Sequence, residues 1–395
     1  MIHVQHLLGI GHLQRALQLG EALLKRGLEV TLVSGGLPSR LSYPAELNFI
    51  QLPPLYSPDG HFTTLLDENG RAITDAWRTN RQQQLLSIFE QLSPHILLTE
   101  TFPFGRRMLR FELLPLLDAA HSSPNCKLII SSIRDILQPK SKPDRENEVV
   151  DLINRYYDRI LVHGDPRIAR LGDSFGAAER IIDKIRYTGY IVKSAASDGK
   201  TPENQSVVVS AGGSHTGLNL LQTAIDARPR STLAHLPWHL LVSHAIDERE
   251  FTELGTRASA GIIIERNRPD FPELLKHAAL SISQAGYNTV TDLLASSTPA
   301  VLVPYAEADE REQTIRASRL AELKRAIMVH PNNLTPDSLA RAVDQAIDHA
   351  TDQAINHATQ LKAGVEVNLG GAARSADYIA RKITLSTETG HDTCQ

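Results

Sequence analysis

Cysteine is nearly absent: Cys126 and Cys394 are the only two among 395 residues. They lie too far apart for a local metal motif and are too few for a disulfide framework, which fits a reducing compartment. A basic excess is absent as well. The formal net charge of −4 argues against a general nucleic-acid binder, which needs cationic surface to displace counterions. No apolar run approaches the roughly 20 residues of a membrane-spanning helix, and the amino terminus has no basic region followed by an apolar block. A cytoplasmic protein is the default expectation, with peripheral contact at the inner face of a membrane left open.

What is present is ordinary globular composition, 42% hydrophobic and 22% charged, in a chain long enough for two domains. Short apolar runs alternate with helical patterns. IHVQHLL (2–8), LEVTLVSGG (28–36), LNFIQL (47–52), HILLTE (95–100), KLIISS (127–132) and RILVHG (159–164) read as strands. Helical spacing falls between them, as in Leu13, Ala16, Leu17, Leu19 and Leu23. Residues 53–74 are polar and broken by Pro and Gly, and read as a functional loop rather than a packed element. A composition break near 185–205 reads as a linker. Strand signals then resume at 206–213, 238–242, 261–265, 279–283, 300–304 and 326–330. The segment 344–359, DQAIDHAT followed by DQAINHAT, reads as an extended and largely solvated helix. The expected class is α/β, with two doubly wound Rossmann-like domains facing a cleft. The expected divisions are 1–190, a linker at 191–205, a second domain at 206–370, a helix at 371–383 packing back on the first domain, and a disordered tail at 384–395.

Ligands of doubly wound sheets sit at the carboxyl ends of the strands, and three motifs fall there. Gly9-Ile10-Gly11-His12 follows the first strand. Its glycines admit a close ligand, Gly11 on the acceptor side, and His12 can take a proton near neutral pH; a capping histidine without chemistry is the alternative. Ser210 to Gly217 follows the first strand of the second half. Gly212 and Gly213 permit a tight turn, while Ser214 and Thr216 offer hydroxyls to a phosphate at a helix start. The third stretch is Ser281–Leu320, where Gly286 and Thr289 flank a turn into a helix. Asp292 lies one turn into that helix, placed to accept ribose hydroxyls, and Glu312 and Gln313 open a later helix. The run Thr99 to Arg107, TETFPFGRR, adds Glu100 at a strand end. Arg106 and Arg107, with Arg134 and Asp135 after the next strand, suit an acceptor carboxylate or phosphate. The competing structural reading pairs these arginines with Glu100, Asp135 and Glu112. His163 and Asp165 form a weaker pair.

Together these motifs resemble family 28 glycosyltransferases of the GT-B fold, most nearly the branch that transfers N-acetylglucosamine from UDP in peptidoglycan synthesis. The likeness runs from Gly212 to about His330 and includes the amino-terminal G-x-G-H. A smaller group of uncharacterised predicted glycosyltransferases shares VQHLLGIGH and FPFGRR. The resemblance implies that Ser214, His215 and Thr216 line the donor diphosphate, with Arg266 near the uracil-contacting region. Asp292 stands for the family's ribose-binding Glu, and Lys193 replaces an arginine near the linker. Gln313 matches the second of two sugar-reading glutamines, whereas Glu312 replaces the first, so the sugar stays undetermined between a hexose and an N-acetylhexosamine.

The expected activity is therefore transfer of a sugar from a UDP-sugar to an acceptor hydroxyl, with His12 or Glu100 as base and His12 preferred. No Asp-x-Asp occurs, so no metal and no cofactor are expected. A nucleotide-sugar hydrolase, suggested by Arg15 after GIGH, and a non-catalytic nucleotide-sugar binder are the alternatives.

Overall fold

The computed structural model describes residues 1–7, 10–58, 64–137, 143–192, 205–212, 217–268, 270–306, 311–358 and 367–388. The amino-terminal sheet contains β1 (Ile2–Val4), β2 (Thr31–Ser34), β3 (Asn48–Gln51), β6 (Ile96–Glu100), β7 (Leu128–Arg134), β8 (Arg159–His163) and β9 (Ile185–Tyr187). Its order is β3-β2-β1-β6-β7-β8-β9, parallel throughout. Helices α1 (Gly11–Leu24), α2 (Asp75–Leu92), α3 (Arg110–Ser122) and α4 (Pro143–Tyr156) connect the strands. Strands such as β7 and β8 are buried almost end to end because helices cover both faces.

The second sheet runs β12-β11-β10-β13-β14-β15, again parallel. Its strands are β10 (Val207–Ser210), β11 (Trp238–Val242), β12 (Ile262–Arg266), β13 (Leu280–Ser283), β14 (Ala300–Leu302) and β15 (Ile327–Met328). They alternate with α5 (Leu218–Ala227), α6 (Glu248–Arg257), α7 (Phe271–His277), α8 (Tyr287–Ser296), α9 (Glu312–Glu322) and α10 (Pro336–Ala358). Each sheet reverses its winding direction once, between β1 and β6 in the first and between β10 and β13 in the second. A crevice opens at each reversal.

Two local expectations differ from what is seen. Residues Ile185–Tyr187, expected to open the linker, form β9 and add a strand beside β8. In the 53–74 region, β4 (Leu55–Tyr56) pairs antiparallel with β5 (Leu66–Asp67), and Leu55 and Leu65 are buried in the core. Leu55 and Leu65 anchor the segment, while Leu66 is half-buried. Within 344–359, Asp348, His349, Thr351 and Asp352 of α10 lie exposed as expected, while Leu339 and Val343, ahead of that segment, are buried in the core.

The chain crosses between the halves twice, and the crossings are tied together. Tyr190 N donates to Asn368 O at 2.7 Å, and Gly371 N donates to Tyr190 O at 2.9 Å. A Cβ on Gly371 would collide with the backbone of Gly189 and Tyr190, so only glycine fits there. From this point α11 (Gly371–Glu388) returns to the first half, where Ala376 and Ile379 pack with Leu13, Leu17 and Leu23 of α1.

Buried charge joins the halves directly. Arg316 of α9, fully buried, reaches both oxygens of Asp135 at 2.8 and 3.1 Å, and Tyr190 OH donates to the same carboxylate at 2.9 Å. Glu312 bridges Arg316 at 3.0 Å and Arg134 at 2.9 Å. Removing one partner of a buried pair strands the other charge, at a cost of about 3–5 kcal/mol. Urea denaturation of Arg316→Met is expected to show a loss of that order; a loss under about 1 kcal/mol would mean that solvent reaches Asp135 and the pair does not join the halves.

Candidate active site

The reversal of the first sheet places the residue after β1 beside the end of β6. His12 is the second residue of α1 and Glu100 the last of β6. His12 Nδ1 lies 3.1 Å from Glu100 Oε1, with 19% of the His12 side chain exposed and the carboxylate buried. Arg15, three residues along α1 and therefore on the same face, also bonds Glu100 Oε1 and is itself buried. Ser132 Oγ, on β7, donates to Glu100 Oε2 at 2.7 Å, and His163 Nε2 lies 2.9 Å from that hydroxyl. His163 Nδ1 meets Thr188 Oγ1 at 2.9 Å. An ionised carboxylate only accepts, so Ser132 donates to it and accepts from His163 Nε2–H. The same logic assigns the His12 proton to Nδ1 and leaves Nε2 as a bare acceptor. Among the described residues, no side chain or backbone group bonds that Nε2.

Electrostatics favours this state. Burial alone would raise the Glu100 carboxyl, but the Arg15 guanidinium and hydrogen bonds from His12 and Ser132 hold it well below the usual carboxylate range. Burial lowers His12 to about 3 against the pull of Glu100, with Arg106 and Arg15 lowering it further. The imidazole is thus neutral at physiological pH. Thr101, at φ 71°, and Arg106, at φ 62°, hold left-handed conformations unusual for non-glycine residues, beside this pair.

A cleft of about 370 Å³ opens from His12 and Thr101 into the first half. Phe102, Phe104, Met108, Leu137, Val149 and Phe175 supply apolar wall; Arg106, Arg107, Arg110, Arg134 and Arg145 supply cationic rim. Against five arginines stand Glu146 and Glu148, so the cleft is cationic in a chain of net negative charge. The arginines do not pair with Glu100, Asp135 and Glu112 as the structural reading supposed. Glu100 is taken by Arg15, Asp135 by Arg316 and Glu112 by Arg81. Arg106 Nε donates to Gln5 O at 3.0 Å, Arg107 lies 3.4 Å from Glu148, and Arg134 bonds Glu312 while lining the cleft.

Across the cleft, the reversal of the second sheet sets the turn after β10 beside the turn after β13. Gly212 adopts φ 73°, which favours glycine, and Asn267 Nδ2 donates to its carbonyl at 2.8 Å. Gly213, Ser214, His215, Thr216 and Lys193 lie outside the described residues. Gly286 is the N-cap of α8, whose Tyr287 OH donates to His163 O at 2.8 Å and whose ring faces Arg15. Asp292 of α8 lines a cavity of about 180 Å³ with Arg268, Phe271, Asn288 and Thr291, closed from the other half by Gln14, Arg15 and Gln18. Thr289 does not line it. Arg266 turns away to Ser243 O, Ile246 O and Glu248 and stacks over Phe251 at 4.1 Å. Gln313 Oε1 accepts from Tyr305 N at 3.0 Å. Gly11 packs against Asn288, so the two candidate turns meet.

Sequence reasoning did not select Arg15, Thr101, Ser132, Arg268 or Arg316. Arg15 was within reach, since an i+3 position on α1 must share a face with His12. Ser132 and Arg316 carry no such local signal. Among the described residues no cluster of three or more His, Cys, Asp or Glu is placed to hold a metal ion, and no helix is long and apolar enough to cross a membrane.

Facing parallel sheets with opposed crevices define a GT-B architecture. Two solved structures share it: the calicheamicin glycosyltransferase CalG4, with TM-score 0.61 and 17% identity over 97% of this chain and 98% of that one, and MurG of Acinetobacter baumannii, with TM-score 0.57 and 16% identity over 96% and 99%. Residues 207–368 match the Glycosyltransferase family 28 C-terminal domain. The second half of the chain thus matches the C-terminal domain of glycosyltransferase family 28, on a fold shared with GT-B structures. A UDP-N-acetylglucosamine--N-acetylmuramyl-(pentapeptide) pyrophosphoryl-undecaprenol N-acetylglucosamine transferase of Paramagnetospirillum magneticum is 30% identical over 222 residues, 52% of this chain and 57% of that protein. The namesake from an Exiguobacterium species is 30% identical over 37% of this chain and 40% of its own length. The matches therefore span 57% of the first of these curated relatives and 40% of the second.

Burial lowers His3 and His163 to about 3, as it does His12. Unfolded histidine titrates near 6.5, so between about pH 6.5 and 3 the unfolded chain binds more protons and stability falls as pH drops. The depressed Glu100 and Asp135 carboxyls add a loss only below about pH 4. Denaturation midpoints are expected to decline from pH 7.5 to 5.5 by up to about 4 kcal/mol per pH unit at the steep end. His3→Gln with His163→Gln should flatten that slope; a wild-type midpoint constant over this window would contradict the buried neutral state.

Proposed function

We propose that the protein is a glycosyltransferase that moves a hexose or N-acetylhexosamine from a UDP-sugar to a hydroxyl of an amphipathic acceptor bearing a carboxylate or phosphate. The observation that carries this is the bare Nε2 of a Glu100-bound His12 at the inner end of the cationic, apolar-walled cleft, in a chain whose residues 207–368 match the family 28 C-terminal domain. The acceptor lies in the cleft with its anion on the arginine rim and its hydroxyl at His12. His12 Nε2 takes the hydroxyl proton as the acceptor oxygen bonds to the anomeric carbon and the bond to UDP breaks. The resulting imidazolium is stabilised by the ionised Glu100. Charge released on the diphosphate is met by backbone N–H groups at the Gly212 turn and the start of α8. Asp292 holds the ribose, and Gln313 remains the candidate sugar reader. The size of the cleft favours an acceptor larger than water, hence transfer over hydrolysis. The names of the curated relatives include a pyrophosphoryl-undecaprenol acceptor, which supports an acceptor of lipid-linked anionic type and peripheral work at the cytoplasmic face of a membrane.

Radiolabelled UDP-N-acetylglucosamine and other UDP-sugars, incubated with cell extract, are expected to yield an anionic labelled product by mass spectrometry. Little free sugar should form without extract. His12→Ala and Glu100→Gln should each lower kcat by about 10²–10⁴-fold while UDP binding stays near wild type. Arg107→Ala should raise the acceptor KM about tenfold with kcat unchanged. Absence of any thermal shift with UDP would sink the donor assignment, and fast sugar release to water would replace transfer by hydrolysis.

A further inference from the structure

The small cavity between the halves is lined largely by polar groups, and two of them, Gln14 and Gln18, have no hydrogen-bonding counterpart across it among the described residues. Gln14 and Gln18 are half-buried, one turn apart on α1, and line it together. Neither side-chain amide makes a hydrogen bond among the described residues. Arg15 lies between them, 5% exposed, with Nε buried and unpartnered. Opposite stand Asp292, Thr291 and Asn288 of α8, and Phe271 with Pro272 and Arg268 close the side. Half-buried amides converging on one space, with an aromatic ring on its flank, suit a ligand that has a flat heterocycle and several hydroxyl or carbonyl oxygens. The hydrogen-bonding capacity of an amide matches such groups, since it both donates and accepts.

We infer that Gln14 and Gln18 read the nucleoside of the donor from the amino-terminal half, so that α1 and the family 28 domain grip the nucleotide jointly. This rests on the UDP-sugar reading above and extends it to specificity. A nucleoside held only by the second half would bind equally well whatever stood on α1. Here binding also draws α1 against α8, and because His12 lies in the first turn of α1, an occupied cavity fixes the base relative to the anomeric carbon. Gln14 and Gln18 are positioning and specificity residues rather than catalytic ones, since neither touches the bond that breaks.

The test is calorimetric titration of the full chain with UDP and, separately, with inorganic diphosphate. Gln14→Ala and Gln18→Ala keep a strong helix former, carry off no existing hydrogen bond and should leave the melting temperature unchanged. Each should weaken UDP about three- to tenfold and the pair about thirtyfold, with inorganic diphosphate affected less than twofold. A double variant that binds UDP like wild type overturns the assignment of α1 and leaves the donor reading intact. Equal weakening for UDP and diphosphate also overturns it, because the effect would not lie on the nucleoside. Wild-type protein that binds no UDP overturns both.

Discussion

The arrangement depends on the buried ion pair between Arg316 and Asp135. It is the point where the second half of the chain reaches into the first, with both side chains inaccessible to solvent. Two charges removed from water are tolerated only where each finds its full set of partners. Asp135 has Arg316, Tyr190 and its own backbone neighbour; Arg316 has Asp135, Glu312 and Ala285 O. Because Asp135 follows β7 and Arg316 lies on α9, meeting these requirements sets the distance between the two crevices. Tyr287 reinforces it, bonding His163 O from the second half while its ring faces both Arg15 and Arg316.

The same logic of satisfied charge shapes the chemistry. Glu100 is buried, yet three donors keep it ionised, and it in turn assigns the His12 proton to one nitrogen. A carboxylate in water would impose no such order on an imidazole. Burial therefore does double duty: it lowers the proton affinity of the histidine, keeping it neutral, and it makes the adjoining negative charge effective when a proton arrives. Glu312 shows the other outcome. Its carboxylate is engaged by Arg134 and Arg316, so its charge serves the joint between the halves.

Much of the fold was legible because parallel strands buried on both faces read as short apolar runs, and helices between them read at their own period. The strands found at 2–4, 96–100, 128–134, 207–210 and 280–283 all lie within or beside such runs. β9 escaped because three residues, one of them charged, carry too little pattern, and its partner β8 supplies the rest. The hairpin in 53–74 escaped because its turn-forming residues outnumber the leucines that anchor it. His12, Glu100 and Asp292 were legible from their places after strands. Arg316 and Ser132 were not, since nothing near them in the chain announces a partner 181 or 32 residues away.

By itself, then, the order of residues determined two doubly wound halves and which strand ends carry candidate chemistry, because strand period, glycine turns and helix starts are local properties. Only the tertiary structure decided which side chains line a cleft and which are buried against one another. Arg106, Arg107 and Arg134 face a cleft because Arg15, Arg81 and Arg316 have already taken the buried carboxylates. That allocation follows from distances between elements far apart in the chain, and no local pattern records them.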